Sequence, residues 1–249
     1  MHIDEFLRQY PKSAVAFSGG VDSSFLLYAA KAAGCDVRAF FIKTQFQPQF
    51  ELEDAKRLAD SIGVPLSVGR LDILSDRKIS GNPADRCYHC KTSIIIKLME
   101  LAGSFGFEVM FDGSNADDDE SDRPGMRALR EYGVISPLRE CGLTKADIRD
   151  LSKKAGLFTH DKPSYACLAT RIPTGIAISD ELLSKTEYAE ALLFDMGFFD
   201  FRVRLIPPNT ANLQMPAGQW DLAAARRPDI LAALRQYYDN VVLDMQVRD

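Results

Sequence analysis

Six consecutive residues, Ser18-Gly19-Gly20-Val21-Asp22-Ser23, combine what an anion-binding turn requires. Two glycines let the backbone approach a phosphate closely, and a helix start offers free N–H groups and positive dipole potential. Ser18 and Ser23 add hydroxyl donors, and Asp22 is a hard oxygen ligand suited to Mg²⁺ on nucleotide phosphates. The turn has neither the Gly-Lys-Ser/Thr ending of a P-loop nor the G-x-G-x-x-G spacing of a dinucleotide site. Without a lysine in the loop, ordinary γ-phosphoryl transfer is disfavoured. The plain alternative is a tight glycine turn capped by serine.

Further along, Asp112-Gly113-Ser114-Asn115-Ala116-Asp117-Asp118 supplies more oxygen donors, of which Asn115 and Asp117 are the candidates for nucleotide and Mg²⁺. A solvated acidic loop is the competing reading for the run 117–120. Arg123 and Arg171 can clamp a phosphate or carboxylate through two parallel N–H bonds, or serve in structural ion pairs. Arg202 and Arg204 alternate onto one strand face, which suits a second anion site or a solvent-facing edge. Cys87 and Cys90 lie three apart on a predicted helix and so share a face with Ile94, Leu98 and Leu101. Small core residues are therefore one reading, and metal ligands another. His89 sits between the two cysteines and points elsewhere, which argues against zinc held by both with the histidine.

These residues need elements to position them. Apolar runs at 13–17, 37–42, 64–68, 108–111 and 134–136 read as five strands. Helical stretches lie between them at 22–33, 51–62, 87–102 and 145–155. Thr144 and Asp147 have capping-box spacing. The alternation implies a doubly wound, parallel five-stranded α/β sheet, with the glycine loop in its first turn, near the crevice where ligands bind. The texture changes near residue 173. Ser179 can cap a helix reaching 196, and 201–206 pairs with 211–215 across Pro207-Pro208-Asn209. The expected organisation is a nucleotide domain over 1–172 and a small α+β appendage over 173–249.

Taken together and in order, several motifs resemble those of a known family. They are the glycine loop, Arg86-Cys87-Tyr88-His89-Cys90-Lys91, the 112–118 segment, Arg123-Pro124-Gly125, Ser136-Pro137-Leu138, Lys162-Pro163-Ser164-Tyr165-Ala166-Cys167-Leu168-Ala169-Thr170-Arg171 and Phe201-Arg202-Val203-Arg204. The loop is similar to that of N-type ATP pyrophosphatases, the PP-loop enzymes. The set, spanning about 13–215, resembles the LarE family of ATP-dependent sulfur transferases, with the segment around Cys167 the most distinctive. The resemblance implies an adenine-nucleotide alpha-hydrolase-like fold. It also implies AMP- and pyrophosphate-forming activation of a carboxylate on pyridinium-3,5-biscarboxylic acid mononucleotide, followed by sulfur insertion. It groups Cys167 with Cys87 and Cys90 as catalytic residues that hold a [4Fe–4S] cluster, or leaves Cys167 to surrender its own sulfur. It implies ATP-binding roles for Ser18, Gly19, Gly20, Asp22, Ser23, Asn115 and Arg123, and substrate contacts from Arg171, Arg202 and Arg204. A homo-oligomer is expected. One departure is visible: where the family pattern reads like Ala-Arg-Ile-Glu-Val, this chain has Ala211-Asn212-Leu213-Gln214-Met215.

Composition bounds the remaining choices. A chain of 249 residues with 46% hydrophobic and 26% charged residues is that of an ordinary globular protein. A net charge of −5 makes no electrostatic case for nucleic acid. Neither a secretory leader nor a membrane helix is legible, and five cysteines without a need for staples fit the reducing cytoplasm.

Overall fold

The computed structural model describes residues 1–118 and 124–247. Four strands, β1 (Lys12–Ala16), β2 (Asp36–Lys43), β3 (Leu66–Arg70) and β4 (Met110–Phe111), form a parallel sheet in the order β3-β2-β1-β4. The expected fifth strand at 134–136 is reduced to one parallel bridge, Phe111 with Ile135. Ser136 leaves that path at once because Pro137 opens a short helix there.

Burial explains why the sheet is covered on both faces. Val15, Phe17, Val37, Ala39 and Phe41 point to one side, onto Leu26, Leu27 and Ala30 of the helix Val21–Ala32 and Ala55 and Leu58 of Gln49–Ile62. Ala14, Phe40 and Ile42 point to the other, onto Leu98 and Ala102 of the helix Arg86–Ser104 and onto Phe107 and Met110. Period-two alternation with both sets apolar is the signature of a central parallel sheet. Each fully buried Phe or Leu contributes about 1.5–3 kcal/mol.

The chain divides into two compact units, Met1–Ile73 with Asp85–Lys162, and Leu74–Ala84 with Pro163–Asp249. The second contains its own three-stranded sheet of β5 (Arg202–Ile206), β6 (Thr210–Gln214) and β7 (Asn240–Leu243), with β5 antiparallel and β7 parallel to the central β6. Its core gathers Leu193, Phe198, Phe201, Val203, Leu213, Met215 and Leu234. The segment Leu74–Ala84 belongs with it through Asn82. That buried side-chain amide donates to the carbonyls of Pro173 and Ile176, at 2.8 and 3.0 Å, while the Asn82 backbone carbonyl accepts from Gly175 N–H. Sequence patterning leaves 74–84 inside the first domain, because isolated contacts such as those of Ser80 and Asn82 carry no periodicity. Both expected caps form: Thr144 and Asp147 make a reciprocal capping box, and Ser179 accepts from Leu182 N–H. Among the described residues, no helix is long and apolar enough to cross a membrane.

Candidate active site

In the first unit β1 delivers the glycine loop to the start of the helix Val21–Ala32. Gly19 takes φ +71°, a left-handed conformation, and a Cβ there would lie 3.2 Å from Ala55 N. Gly20 is the N-cap residue, and no side chain caps this helix. Its first amides thus stay available to an anion. Ser18 and Ser23 brace the turn: their hydroxyls are 3.1 Å apart, Ser23 Oγ accepts from Ser18 N–H, and Ser18 Oγ accepts from Gly20 N–H. Behind the loop, Gly113 follows β4 so closely that a Cβ would sit 2.9 Å from Ser23 N. The glycine after the fourth strand is therefore a packing requirement of the phosphate loop.

Asp22 opens the helix and pairs with Lys145, whose Nζ lies 2.5 Å from Asp22 Oδ2. Its other oxygen, Oδ1, is buried with no hydrogen-bond partner among the described residues. Burial raises the Asp22 carboxyl above the usual aspartate range. The Lys145 hydrogen bond and charge pull it back, Asp118 raises it and Arg149 lowers it. Lys162, the last residue of this unit, brings a second ammonium to the loop, 2.6 Å from Asp54 Oδ2 and 3.5 Å from the Gly19 carbonyl. Sequence reasoning gave neither lysine a role at the loop, although Lys162 heads one of the quoted motifs, because they lie 123 and 143 residues from their loop partners. The fold thus supplies from afar the cations that the loop lacks, which limits what the missing P-loop lysine can exclude.

Asn115 and Asp117 shape the site from behind. Asn115 Oδ1 accepts from Asp117 N–H at 2.9 Å, and Asp117 Oδ2 accepts from Lys145 N–H at 2.7 Å. Asp117, expected as an Mg²⁺ ligand, is thus joined to the first amide of the helix Lys145–Lys154, where a carboxylate complements the dipole. Among the described residues, Asp118 is an acid whose charge acts on Asp22. Arg123 lies outside the described residues. The arrangement fits Mg²⁺: an orphaned, buried carboxylate oxygen beside open helix amides suits an ion that takes one or two carboxylates and completes its shell with phosphates.

The cysteines separate by environment. Cys87 is exposed and Cys90 partly buried on the first turns of Arg86–Ser104, and Arg86 Nη2 approaches Cys87 Sγ at 3.6 Å. For Cys87 the core reading therefore fails. His89 turns to Asp85, 3.2 Å away. Cys35 and Cys141 pack against the first core, and burial raises both thiols, as befits inert residues. None of the five is in a disulfide. Cys87 and Cys90 belong to the first unit and Cys167 to the second. Among the described residues, no group of three or more His, Cys, Asp and Glu is placed to hold a metal ion.

In the second unit Cys167 stands at the head of the 3₁₀ turn Leu168–Arg171, partly buried. The backbone around it is clamped by charged side chains. Arg171 is buried and meets Glu190 in a two-pronged pair, Nε–Oε1 2.8 Å and Nη2–Oε2 3.0 Å, while its Nη1 donates to Ala166 O and Thr170 Oγ1. Glu190 also accepts from Tyr165 Oη at 2.5 Å and Val203 N–H at 2.9 Å. Arg202 Nη2 donates to Ser164 O at 2.6 Å and Arg204 Nη1 to Thr170 O at 2.9 Å. The three arginines expected to contact substrate thus hold the segment that carries Cys167. Each arginine meets carbonyls of 164–170, which sequence spacing cannot show. Glu190 has no sequence signal beyond a carboxylate on a helix, yet it is the centre of the network. The divergent β6 residues join in. Gln214 accepts from Arg204 Nε, and Asp244 Oδ2 accepts from both Asn212 and Gln214, holding its carboxyl below the usual range.

Comparison with known proteins is consistent with this geometry. The family described as queuosine biosynthesis protein QueC matches residues 12–86, from β1 to the residue before Cys87. A pyridinium-3,5-bisthiocarboxylic acid mononucleotide synthase of Lactiplantibacillus plantarum is 31% identical over 212 residues, 84% of this chain and 76% of that protein. An uncharacterized protein of Synechocystis is 33% identical over 88% of this chain and 81% of its own length. A tRNA-specific 2-thiouridylase of Clostridium botulinum is 27% identical over 60% of this chain and 51% of its own.

Proposed function

The chain belongs to the LarE family of ATP-dependent sulfur transferases within the PP-loop superfamily, and from that membership we propose that it attaches AMP to a carboxylate of pyridinium-3,5-biscarboxylic acid mononucleotide and replaces it with sulfur. The carboxylate oxygen attacks the α-phosphorus of ATP and pyrophosphate leaves; sulfide then displaces AMP, and a thiocarboxylate of the nickel-pincer nucleotide route results. The observation that carries this reading is Asp22: a buried oxygen without a hydrogen-bond partner among the described residues, beside helix amides that no described side chain caps, with Lys145 and Lys162 at the same turn. The loop amides, Ser18, Ser23 and the two lysines bind the polyphosphate, and Asp22 is the residue that would hold Mg²⁺. When bound, that ion neutralises charge on the leaving pyrophosphate. Incubation with ATP and the dicarboxylate is expected to yield AMP and pyrophosphate; ADP and orthophosphate as main products would overturn the reading.

For sulfur delivery we propose that Cys87, Cys90 and Cys167 hold a [4Fe–4S] cluster. Held by three thiolates only, such a cluster would supply a site for an exchangeable sulfide. Three features support this: all three thiols are outside disulfides, Cys87 is exposed, and Cys167 is held by a dedicated network. Iron and sulfide analysis after anaerobic purification is the test. Loss of the mass of hydrogen sulfide from Cys167 would instead establish transfer of its own sulfur. The C-terminal residues from 173 are assigned to acceptor binding and assembly, and the protein to the cytoplasm as a homo-oligomer. Light scattering and acceptor titration of the intact chain address those assignments.

A further inference from the structure

We propose that Lys145 is a placeholder cation: in the nucleotide-free protein it occupies the carboxylate of Asp22 and gives that place up only when nucleotide phosphate draws it away. This rests on the ATP-cleaving reading above. Among the described residues, Asp118, Lys145 and Arg149 act on the Asp22 carboxylate, and the Lys145 ammonium is in direct contact with it, 2.5 Å from Oδ2. While that ammonium stays in place, a divalent cation gains little by entering. Of the two cations only one is free to move. Arg149 is committed to the carbonyls of His160 and Lys162, at 2.8 and 2.9 Å. The Lys145 backbone is pinned by Asp117 and by the capping box that starts its helix, but its ammonium sits on a flexible four-carbon stem and is 34% exposed. It can therefore swing from Asp22 to an anion on the neighbouring loop without any change in the fold. Its departure leaves the Asp22 carboxylate without its contacting cation and frees Oδ2, while Oδ1 already has no hydrogen-bond partner among the described residues. Metal and nucleotide then enter together, and Asp22 is not blocked by free Mg²⁺ between turnovers.

The test is Mn²⁺ binding to the intact, nucleotide-free protein, followed by loss of the free-ion paramagnetic resonance signal. Wild type is expected to bind Mn²⁺ weakly until α,β-methylene-ATP is added. Lys145→Met should bind it about tenfold or more tightly without nucleotide, since a neighbouring cation has been removed from a partly buried carboxylate. Lys145→Arg, which keeps the charge, should behave as wild type and serves as the control for folding. Adding Asp22→Asn to Lys145→Met should abolish the gain. Equal Mn²⁺ affinity of wild type and Lys145→Met would overturn the proposal even if AMP and pyrophosphate form normally. A gain in Lys145→Met alongside ADP formation would uphold the placeholder role and count against the proposed reaction alone.

Discussion

Asp22 illustrates how a residue needed for chemistry acts against stability. Its carboxyl is raised by burial, so the folded protein holds a proton there more readily than the unfolded chain does. The sign follows: stability attached to this group falls as pH rises from the ordinary aspartate value, 3.8, through the raised native one. Asp22→Asn should therefore melt higher than wild type at pH 7, with the difference vanishing in acid. The same variant should lose roughly 10²–10³ in ATP cleavage, the usual cost of a charge contact in the transition state. Calorimetry across pH together with a pyrophosphate assay checks both; a lower melting temperature at pH 7 would contradict the assignment. Glu190 is the opposite case. Removing it with Glu190→Ala strands the buried Arg171 guanidinium, and a loss of about 3–5 kcal/mol is expected in denaturant melts.

At the scale of elements, two glycine contacts and one arginine pair decide whether the site forms. Gly113 has no room for a methyl group, since Ser23 N would be 2.9 Å away. Gly113→Ala must push the fourth strand and the loop helix apart. It should cost about 1–3 kcal/mol, as overpacked sites do, and ATP affinity measured by calorimetry should fall with it. On β5, Arg202 and Arg204 share a face as their spacing requires, but that face is turned to the carbonyls of Ser164 and Thr170. Changing both to alanine should slow sulfur transfer through Cys167 and leave ATP–pyrophosphate exchange near the wild-type rate. Weakened ATP binding in that variant would show that the arginines serve the nucleotide after all.

For the whole molecule, the phosphate loop, Asp22 and both lysines lie in the first unit together with Cys87 and Cys90, and Cys167 with its arginine–glutamate clamp lies in the second. Under the proposed reaction, activation and sulfur delivery are expected to be separable by mutation. Cys87→Ala should abolish bound iron and repeated sulfur transfer while pyrophosphate release continues, because the contacts described at the phosphate loop run through Ser18, Ser23, Lys145 and Lys162. Full sulfur-transfer activity in Cys87→Ala, with the wild-type protein lighter by hydrogen sulfide after reaction, would assign the sulfur to Cys167 itself.

Local signals were legible from the sequence. The glycine loop, the alternation of strand and helix, the Thr144–Asp147 box and the Ser179 cap each depend on residues within a few positions of one another, and each is found in the structure. The nature of the loop as a PP-loop rested on such a contiguous motif. The fifth strand was misjudged because an apolar triplet does not reveal that Pro137 bends the chain away. What only tertiary structure decided was the partners of the charges at the phosphate loop and around Cys167. Lys145 and Lys162 reach the loop, Asp117 reaches the amide of Lys145, and Arg171, Arg202 and Arg204 turn inward to hold the Cys167 segment. The physical reason is that hydrogen bonds and ion pairs are short-ranged contacts between groups that folding brings together from distant positions, and their pairing leaves no period in the sequence.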